Sequence, residues 1–269
     1  MMMTYSLYDN IDADGAFDHI DHAFSRSEDT GKPANEEFHL LREKLRIPTA
    51  DSLIERPRIN ELLRKSVDQF PATLISGRSG TGKTAIAAGF AANTENVSWY
   101  SVEPTDIEWS AFSSYFDASL SKSVAASGNI WVGVQNEKCV LEVGIAQFME
   151  DHFSSVRAEA GTGKSLIVLD DIHHIFDAVW FDDFFTQLLY SLPNDIHVLF
   201  LCRSKPVMPL SRLRSKQMLD VIDEKVIAFD ANETNLLFDT MGRSAADAKR
   251  AHHLCFGRIS KLMEFVATH

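Results

Sequence analysis

Apolar and polar positions alternate in a regular way between residues 71 and 230. Short apolar runs are separated by longer segments in which apolar residues recur every three or four positions, as Trp109, Phe112, Phe116 and Leu120 do. This alternation is typical of a parallel β-sheet covered by helices on both faces. We therefore predict an α/β fold with strands at 72–76, 97–102, 166–170, 197–202 and 225–229, and helices at 84–92, 107–120, 140–157 and 178–192.

Both ends of the chain differ from this central part. Residues 1–44 are rich in Asp and other polar residues, which predicts an acidic extension and linker, with a short helix at 38–45. The spacing from Asn10 to Asp21 resembles a calcium loop. Its first residue is Asn and its last is Asp rather than Glu, so we interpret it as solvated acidic surface. Asp230 and Glu233 form a capping-box pattern that predicts a helical lid over 231–269, which leaves 45–230 as the core domain.

Composition excludes several classes of function. The net charge of −12 argues against nucleic-acid binding by this chain itself. The three cysteines show no spacing of a disulfide framework or a zinc site. No apolar run approaches the roughly 18 residues that span a bilayer, and the N-terminus lacks a secretory core. We expect a cytoplasmic protein without a membrane partner.

One segment has the complete pattern of a phosphate-binding loop (Walker A motif). The sequence GRSGTGKT follows a predicted strand and opens a predicted helix, so its backbone N–H groups can turn toward phosphates at a helix N-terminus. Lys83 would reach the β- and γ-phosphates, and the Thr84 hydroxyl would bind Mg²⁺. The predicted nucleotide-binding residues are Gly77, Arg78, Ser79, Gly80, Thr81, Gly82, Lys83, Thr84 and Ala85.

A second, similar segment, AGTGKSL at 160–166, lacks this context. Its first glycine position is occupied by Ala158, and a predicted strand rather than a helix follows Ser165. We therefore interpret Lys164 as a residue of a surface loop.

The strand LIVLDD supplies the partner motif (Walker B). Asp170 is the candidate ligand of Mg²⁺, and Asp171 is the candidate group that polarises the attacking water. Arg203, at the end of the next predicted strand, would sense the γ-phosphate. We count Lys83, Asp171 and Arg203 as the catalytic residues. His173 is a further candidate for the phosphate network, although polar packing explains it and His174 more simply.

These residues, together with SWYSVEPTD and CRSKPVMPLSRLR, resemble STAND-type P-loop signalling ATPases over about 45–238. The nearest likeness is to the nucleotide-binding domain of MalT-like, LuxR-family transcription activators. The resemblance implies a five-stranded parallel sheet in the order 5-1-4-3-2 and a slow ATPase that switches between ADP and ATP with Mg²⁺. It further implies nucleotide-dependent self-association or partner binding, and places Arg56 on the adenine side.

Two departures from that family limit what the resemblance implies. Ala85 replaces the family's usual second Thr, and the sensor repeats and helix-turn-helix of those activators are absent from this sequence, so DNA binding is not expected.

Two other functions remain open. The segment CFGRISKL, with Arg258 placed like a sensor arginine, fits an AAA+ assembly ATPase similar to those that accompany transposition. However, 176–195 contains no Arg or Lys that could act on a neighbouring subunit. A nucleotide-binding scaffold without turnover is the third alternative, against which the intact Lys83, Thr84, Asp170 and Asp171 argue.

Overall fold

Five parallel strands form the central sheet of a computed structural model. The structure describes residues 38–39, 42–49, 54–120, 131–132, 153 and 164–268. The strands are β1 (Ala72–Ser76), β2 (Asn96–Ser101), β3 (Ser165–Asp170), β4 (Ile196–Cys202) and β5 (Asp220–Asp223). Their order is β2-β3-β4-β1-β5, with every neighbouring pair parallel. The predicted fold class and strand order are thereby confirmed.

The described helices cover both faces of this sheet and continue beyond it. They are α1 (Pro57–Gln69), α2 (Lys83–Ala91), α3 (Trp109–Leu120), α4 (Phe181–Ser191), α5 (Leu210–Ser215), α6 (Glu224–Ile227), α7 (Ala231–Thr240), α8 (Ala245–Cys255) and α9 (Ile259–Thr268). Short 3-10 helices lie at Arg42–Leu45, Pro104–Ile107 and Ile172–Ile175. None of these described helices is both long and apolar enough to cross a membrane.

Successive residues of the central strands enter two different cores. Ile167 and Leu169 of β3 pack with the aromatic side chains of α3 and α4, whereas Leu166 and Val168 pack with α1 and α2. Because side chains of a strand point alternately to its two faces, a strand covered on both sides must be apolar throughout. This explains the uninterrupted apolar runs of β3 and β4.

The aromatic stripe of α3 lies in the larger core, as predicted. Phe112 packs edge-to-face against Phe184 with 4.8 Å between ring centroids, and Trp109 packs edge-to-face against Trp180 at 5.1 Å. Such pairs add stabilisation beyond the burial of their area. The stripe therefore holds α3 and α4 together and is not a ligand site.

The predicted helix at 38–45 is confirmed only in its second half. Phe38–His39 instead pairs as an antiparallel strand with Trp131–Val132, and only Arg42–Leu45 forms a 3-10 turn. Lys44 is buried there, with its Nζ 2.7 Å from Asp106 Oδ1 and 3.0 Å from Glu103 Oε2. These ion pairs attach the 3-10 helix to the segment that contains Pro104–Ile107.

The predicted fifth strand at 225–229 is also wrong, because the strand lies five residues earlier. β5 pairs with β1 so that Asp223 is opposite Ser76, and the chain then turns into α6. The carbonyls of Val226 and Ala228 accept hydrogen bonds from Arg58 (2.8 and 2.7 Å) instead of from a neighbouring strand. The predicted helix at 140–157, apart from the buried Phe153, and the acidic segment 1–37 lie outside the described residues.

Helices α7–α9 form a C-terminal lobe with a small core of its own. Phe229, Leu237, Phe238, Leu262 and Phe265 are among the buried residues of this core. The predicted capping box begins it, since Glu233 N donates to Asp230 Oδ1 (2.8 Å) and Asp230 N donates to Glu233 Oε2 (3.0 Å).

Gly257 joins the lobe to the segment that leads out of the sheet. It has a left-handed backbone (φ 70°), and Phe229 N donates to its carbonyl oxygen at 2.8 Å. A Cβ atom at this position would collide with the carbonyl oxygen of Phe229. Only glycine fits here without displacing the backbone of one of the two segments.

Candidate nucleotide-binding site

The phosphate-loop segment lies between β1 and α2, at the carboxyl edge of the sheet. Gly80 and Gly82 have left-handed backbones (φ 76° and 88°), and Gly82 immediately precedes α2. A Cβ on Gly80 would lie 2.5 Å from the hydroxyl oxygen of Ser260. These glycines let the loop fold tightly beneath the lobe, with its N–H groups gathered at the start of α2.

Lys83 lies inside this loop. Its Nζ donates to the carbonyls of Gly77 (2.6 Å) and Arg78 (3.3 Å), and the residue is buried. Burial lowers the pKa of the Lys83 ammonium, while the charges of Asp171 and Asp170 act in the opposite direction. The cation is therefore held at the loop, where a phosphate would neutralise it.

Thr84 and Asp170 are in direct contact. Thr84 Oγ1 donates to Asp170 Oδ2 at 2.8 Å, and the backbone N–H of Asp171 donates to Asp170 Oδ1 at 2.8 Å. Burial is the main cause that raises the pKa of the Asp170 carboxyl to about 6. A hydroxyl and a carboxylate oxygen at this separation suit a hard cation such as Mg²⁺.

Within the described residues, no group of three or more His, Cys, Asp or Glu side chains could hold a metal alone. A Mg²⁺ ion at Thr84 and Asp170 would thus take its other ligands from water and phosphate oxygens, as is usual for this ion. The oxygen donors of Thr84 and Asp170, the predicted metal residues, thus suit Mg²⁺.

Asp171 is followed by a 3-10 turn and has a left-handed backbone (φ 53°). Its Oδ1 lies 3.9 Å from Arg203 Nε and 3.6 Å from His173 Nδ1, which has no hydrogen-bond partner among the described residues. Burial, followed by the neighbouring His174, lowers the pKa of His173. The structure thus brings Asp171, Arg203 and a neutral His173 together at the end of β3 and β4.

The C-terminal lobe touches the phosphate loop through two contacts. The guanidinium of Arg258 donates to the carbonyl of Ser79, and Ser260 N donates to the carbonyl of Gly80 at 3.1 Å. Arg258 therefore lies at the loop.

Arg56 occupies a different place, beneath the start of the lobe. Its guanidinium donates to the carbonyls of Ile227 (2.9 Å) and Ala228 (3.1 Å) and to Glu233 (2.8 Å), and it lies 4.0 Å from the centre of the Phe229 ring. All these groups link the sheet to the lobe. All three hydrogen bonds come from one terminal nitrogen of Arg56, and its Nε is buried without a hydrogen-bond partner among the described residues. The place of Arg56 on the adenine side stays a prediction.

The remaining candidates separate clearly. Ala85 is an exposed residue in the first turn of α2. Lys164 precedes β3 at the opposite, amino edge of the sheet, where its Nζ donates to the carbonyl of Val67 at 2.7 Å. The structure therefore does not bring Lys164 to the loop.

Glu224 is a neighbour of the loop that sequence reasoning missed. Its carboxylate accepts from the backbone N–H of Arg78 at 3.0 Å and from the Arg78 guanidinium at 2.7 Å. The available signal was the position of β5. Once β5 ends at Asp223 beside β1, the next residue must lie next to Gly77.

A parallel sheet with this loop after β1, and with a carboxylate at the end of β3 bonded to Thr84 of α2, defines the P-loop NTPase fold. No family model matches the chain. Curated relatives and solved structures do match the chain.

The curated relatives are transcription regulators. The chain is 28% identical over 203 residues to the HTH-type transcriptional regulator MalT of Vibrio cholerae, and 27% identical over 206 residues to MalT of Vibrio parahaemolyticus. Each match covers 75% of this chain and 22% of the relative, so the chain corresponds to about a fifth of these regulators.

Two solved structures share the fold. One is a STAND protein with a tetratricopeptide repeat sensor from Pyrococcus horikoshii (TM-score 0.53, 16% identity, 82% of this chain and 31% of that one). The other is a Walker-type ATPase of Pyrococcus abyssi (TM-score 0.51, 10% identity, 79% of this chain and 66% of that one). The resemblance to MalT-like and STAND-type P-loop ATPases, predicted from the sequence, is confirmed.

Proposed function

We propose that this chain is the nucleotide-binding module of a STAND-type switch, which binds ATP or ADP with Mg²⁺ and hydrolyses ATP slowly. The observation that carries the proposal is the hydrogen bond between Thr84 and Asp170. This bond joins the phosphate loop to the acidic strand end, so the two intended ligands of one Mg²⁺ ion are already adjacent.

The contacts at the loop support the following roles. Lys83 neutralises the β- and γ-phosphates, and backbone N–H groups of residues 80–85 bind their oxygens. Thr84 and Asp170 would hold Mg²⁺, which when bound would offset the charge of the phosphates. Asp171 orients the attacking water and accepts its proton, and Arg203, whose Nε lies 3.9 Å from Asp171 Oδ1, would offset the charge that develops on the γ-phosphate.

The lobe supplies the proposed switch. Arg258 and Ser260 bond to the carbonyls of Ser79 and Gly80, so a change at the loop has a direct route to α8 and α9. A ligand shifts a conformational equilibrium only by its different affinity for the two states. We propose that ATP and ADP favour different lobe positions, with 231–269 acting as the lid of the 45–230 core and 1–44 as an extension.

The test combines turnover and mass. We expect steady-state phosphate release on the order of one per minute or less, as in switch NTPases that receive no arginine from a second protein. Light scattering should show a monomer with ADP, and association or partner capture with a non-hydrolysable ATP analogue. Asp171→Asn is the control. It should bind nucleotide as before and release phosphate about 100-fold more slowly, because the amide cannot accept the proton of the water.

An AAA+ assembly ATPase is the second candidate, because Arg258 reaches the loop as a lid arginine of that class would. The same experiment separates the two functions. Fast turnover by a stable ring would favour the AAA+ alternative. Tight nucleotide binding without phosphate release would favour a nucleotide-binding scaffold. The same mass with both nucleotides, together with the same protection of the lobe amides from hydrogen exchange, would exclude the switch.

A further inference from the structure

Glu224 lies beside the phosphate loop because of the register of the edge strand. β1 and β5 are parallel neighbours with Ser76 opposite Asp223, so the residues that follow them, Gly77 and Glu224, leave the sheet side by side. A Cβ on Gly77 would lie only 3.1 Å from the Cβ of Glu224. The absence of a side chain at Gly77 is what lets Glu224 approach the loop so closely.

The Glu224 carboxylate binds both the side chain and the backbone of Arg78. Arg78 Nε lies 3.1 Å from each carboxylate oxygen, its terminal nitrogen lies 2.7 Å from Oε1, and its backbone N–H donates to Oε2 at 3.0 Å. These bonds are the main reason that the pKa of Glu224 falls to about 2. The backbone bond matters most, because it fixes the path of the loop and not only an exposed side chain.

Glu224 is also the first residue of the hinge, which we define as residues 224–229 between β5 and the lobe. The hinge carbonyls of Val226, Ile227 and Ala228 accept hydrogen bonds from Arg56 and Arg58, and both arginines also contact Glu233 of α7. The hinge is thus fixed to the core at its start and to the lobe at its end.

A second link returns from the lobe to the loop. Phe229 of the hinge bonds to Gly257, and the next residues, Arg258 and Ser260, bond to the carbonyls of Ser79 and Gly80. Three consecutive loop residues, Arg78, Ser79 and Gly80, are therefore held by the hinge on one side and by the lobe on the other. Hydrogen bonds thus connect the loop to the hinge, the hinge to the lobe, and the lobe to the loop.

We propose that Arg78 and Glu224 are a positioning pair that transmits the conformation of the phosphate loop to the hinge, and so couples bound nucleotide to lobe position. The inference rests on the proposed nucleotide switch and adds a residue outside its nucleotide-binding set. Without this pair the hinge start loses its hold on the loop, and the lobe keeps only the Arg258 and Ser260 contacts.

The test is a double-mutant cycle on the full chain. Hydrogen exchange of the amides in 245–268 is measured with saturating Mg–ADP and with a saturating non-hydrolysable ATP analogue, for the original protein and for Arg78→Ala, Glu224→Ala and the double variant. We expect the difference between the two nucleotides to shrink about fivefold or more in Glu224→Ala. The double variant should lose no more than either single variant, because the two residues act as one unit.

Lys205→Ala is the matched control. It breaks the neighbouring ion pair between Lys205 Nζ and Asp223 Oδ1 (2.6 Å). Asp223 is the last residue of β5, and this ion pair involves neither the loop backbone nor the hinge. This variant should respond to nucleotide like the original protein, and a loss equal to that of Glu224→Ala would overturn the proposal.

Glu224→Ala with a full response, or additive losses in the double variant, would overturn the positioning pair and leave the proposed switch intact. If the original protein binds both nucleotides without any difference in exchange, the switch itself fails, and the pair with it.

Discussion

Two lysines follow Gly-Thr-Gly in this sequence, and their surroundings differ completely. Lys83 is buried within its own loop, at the start of a helix and near Asp170 and Asp171. Lys164 extends across the surface to the carbonyl of Val67 at the far edge of the sheet. The same four letters therefore give one phosphate site and one structural surface contact.

This contrast gives a prediction for nucleotide affinity. Lys83→Ala should raise the Kd of a fluorescent ADP analogue by about 100-fold or more, because it removes the charged donor that faces the phosphates. Lys164→Ala is the matched control and should leave the Kd unchanged. A titration with the opposite outcome would show that the wrong loop has been assigned.

Asp170 gives a prediction for pH. A carboxylate must lose its proton to bind Mg²⁺, and burial raises the pKa of Asp170 from its ordinary value of 3.8 to about 6. The Mg²⁺-dependent part of ADP affinity should therefore fall as the pH drops through about 6.

Asp170→Asn should weaken that Mg²⁺-dependent part at all pH values and remove its pH dependence in this range. A wild-type protein whose Mg²⁺ effect is constant between about pH 5 and 7.5 would contradict this role of Asp170.

In the absence of nucleotide, the contribution of Asp170 to stability depends on pH with the opposite sign to that of an ordinary Asp, whose pKa is lowered on folding. Because the folded pKa is raised, the free energy of unfolding decreases as the pH rises from about 4 through about 6.

At the scale of elements, Gly257 determines how closely the lobe can pack against the backbone of Phe229. Gly257→Ala should destabilise the protein by at least about 3 kcal/mol, because the new methyl group adds a collision with the Phe229 backbone to the cost of a left-handed alanine. Gly242→Ala is the control, since Gly242 has nearly the same φ (69°) and open space around its Cβ position. It should cost only about 1 kcal/mol. Equal costs in urea unfolding would show that the contact between Gly257 and Phe229 contributes nothing.

The sequence was most informative where several signals coincide. β1, β3 and β4 are buried and mostly apolar, and the loop motif marks where β1 ends and α2 begins, so these elements were predicted to within one residue. The resemblance to STAND-type ATPases supplied the strand order, which periodicity alone does not determine.

The edge of the sheet was predicted poorly for a physical reason. Segments 219–223 and 225–229 are both short and partly apolar, and only pairing with β1 selects the first as the strand. That pairing is a long-range contact with no local signature. The same error concealed Glu224, and the position of Arg56 under the lobe depends on hinge carbonyls that no side-chain pattern reveals.

At the scale of the whole molecule, charge restricts how copies of this chain can associate. A net charge of −12 makes two copies repel one another at low ionic strength. The ATP-dependent association proposed above must therefore depend on a specific surface, and salt should favour it by screening the repulsion. The lobe is the element whose position would alter such a surface.

The paired rings of the aromatic core also determine what an optical experiment can detect. Three of the four tryptophans, Trp99, Trp109 and Trp180, are buried around the sheet, and 231–269 contains no tryptophan. Intrinsic fluorescence will thus report melting of the sheet and remain insensitive to a lobe that detaches first. Thiol labelling can report on the lobe instead, because Cys255 is partly exposed. Cys202 of the sheet is buried, and that burial raises the pKa of its thiol to about 12. Thiol labelling rates at Cys255 and the tryptophan signal together would reveal whether core and lobe come apart in one step or in two.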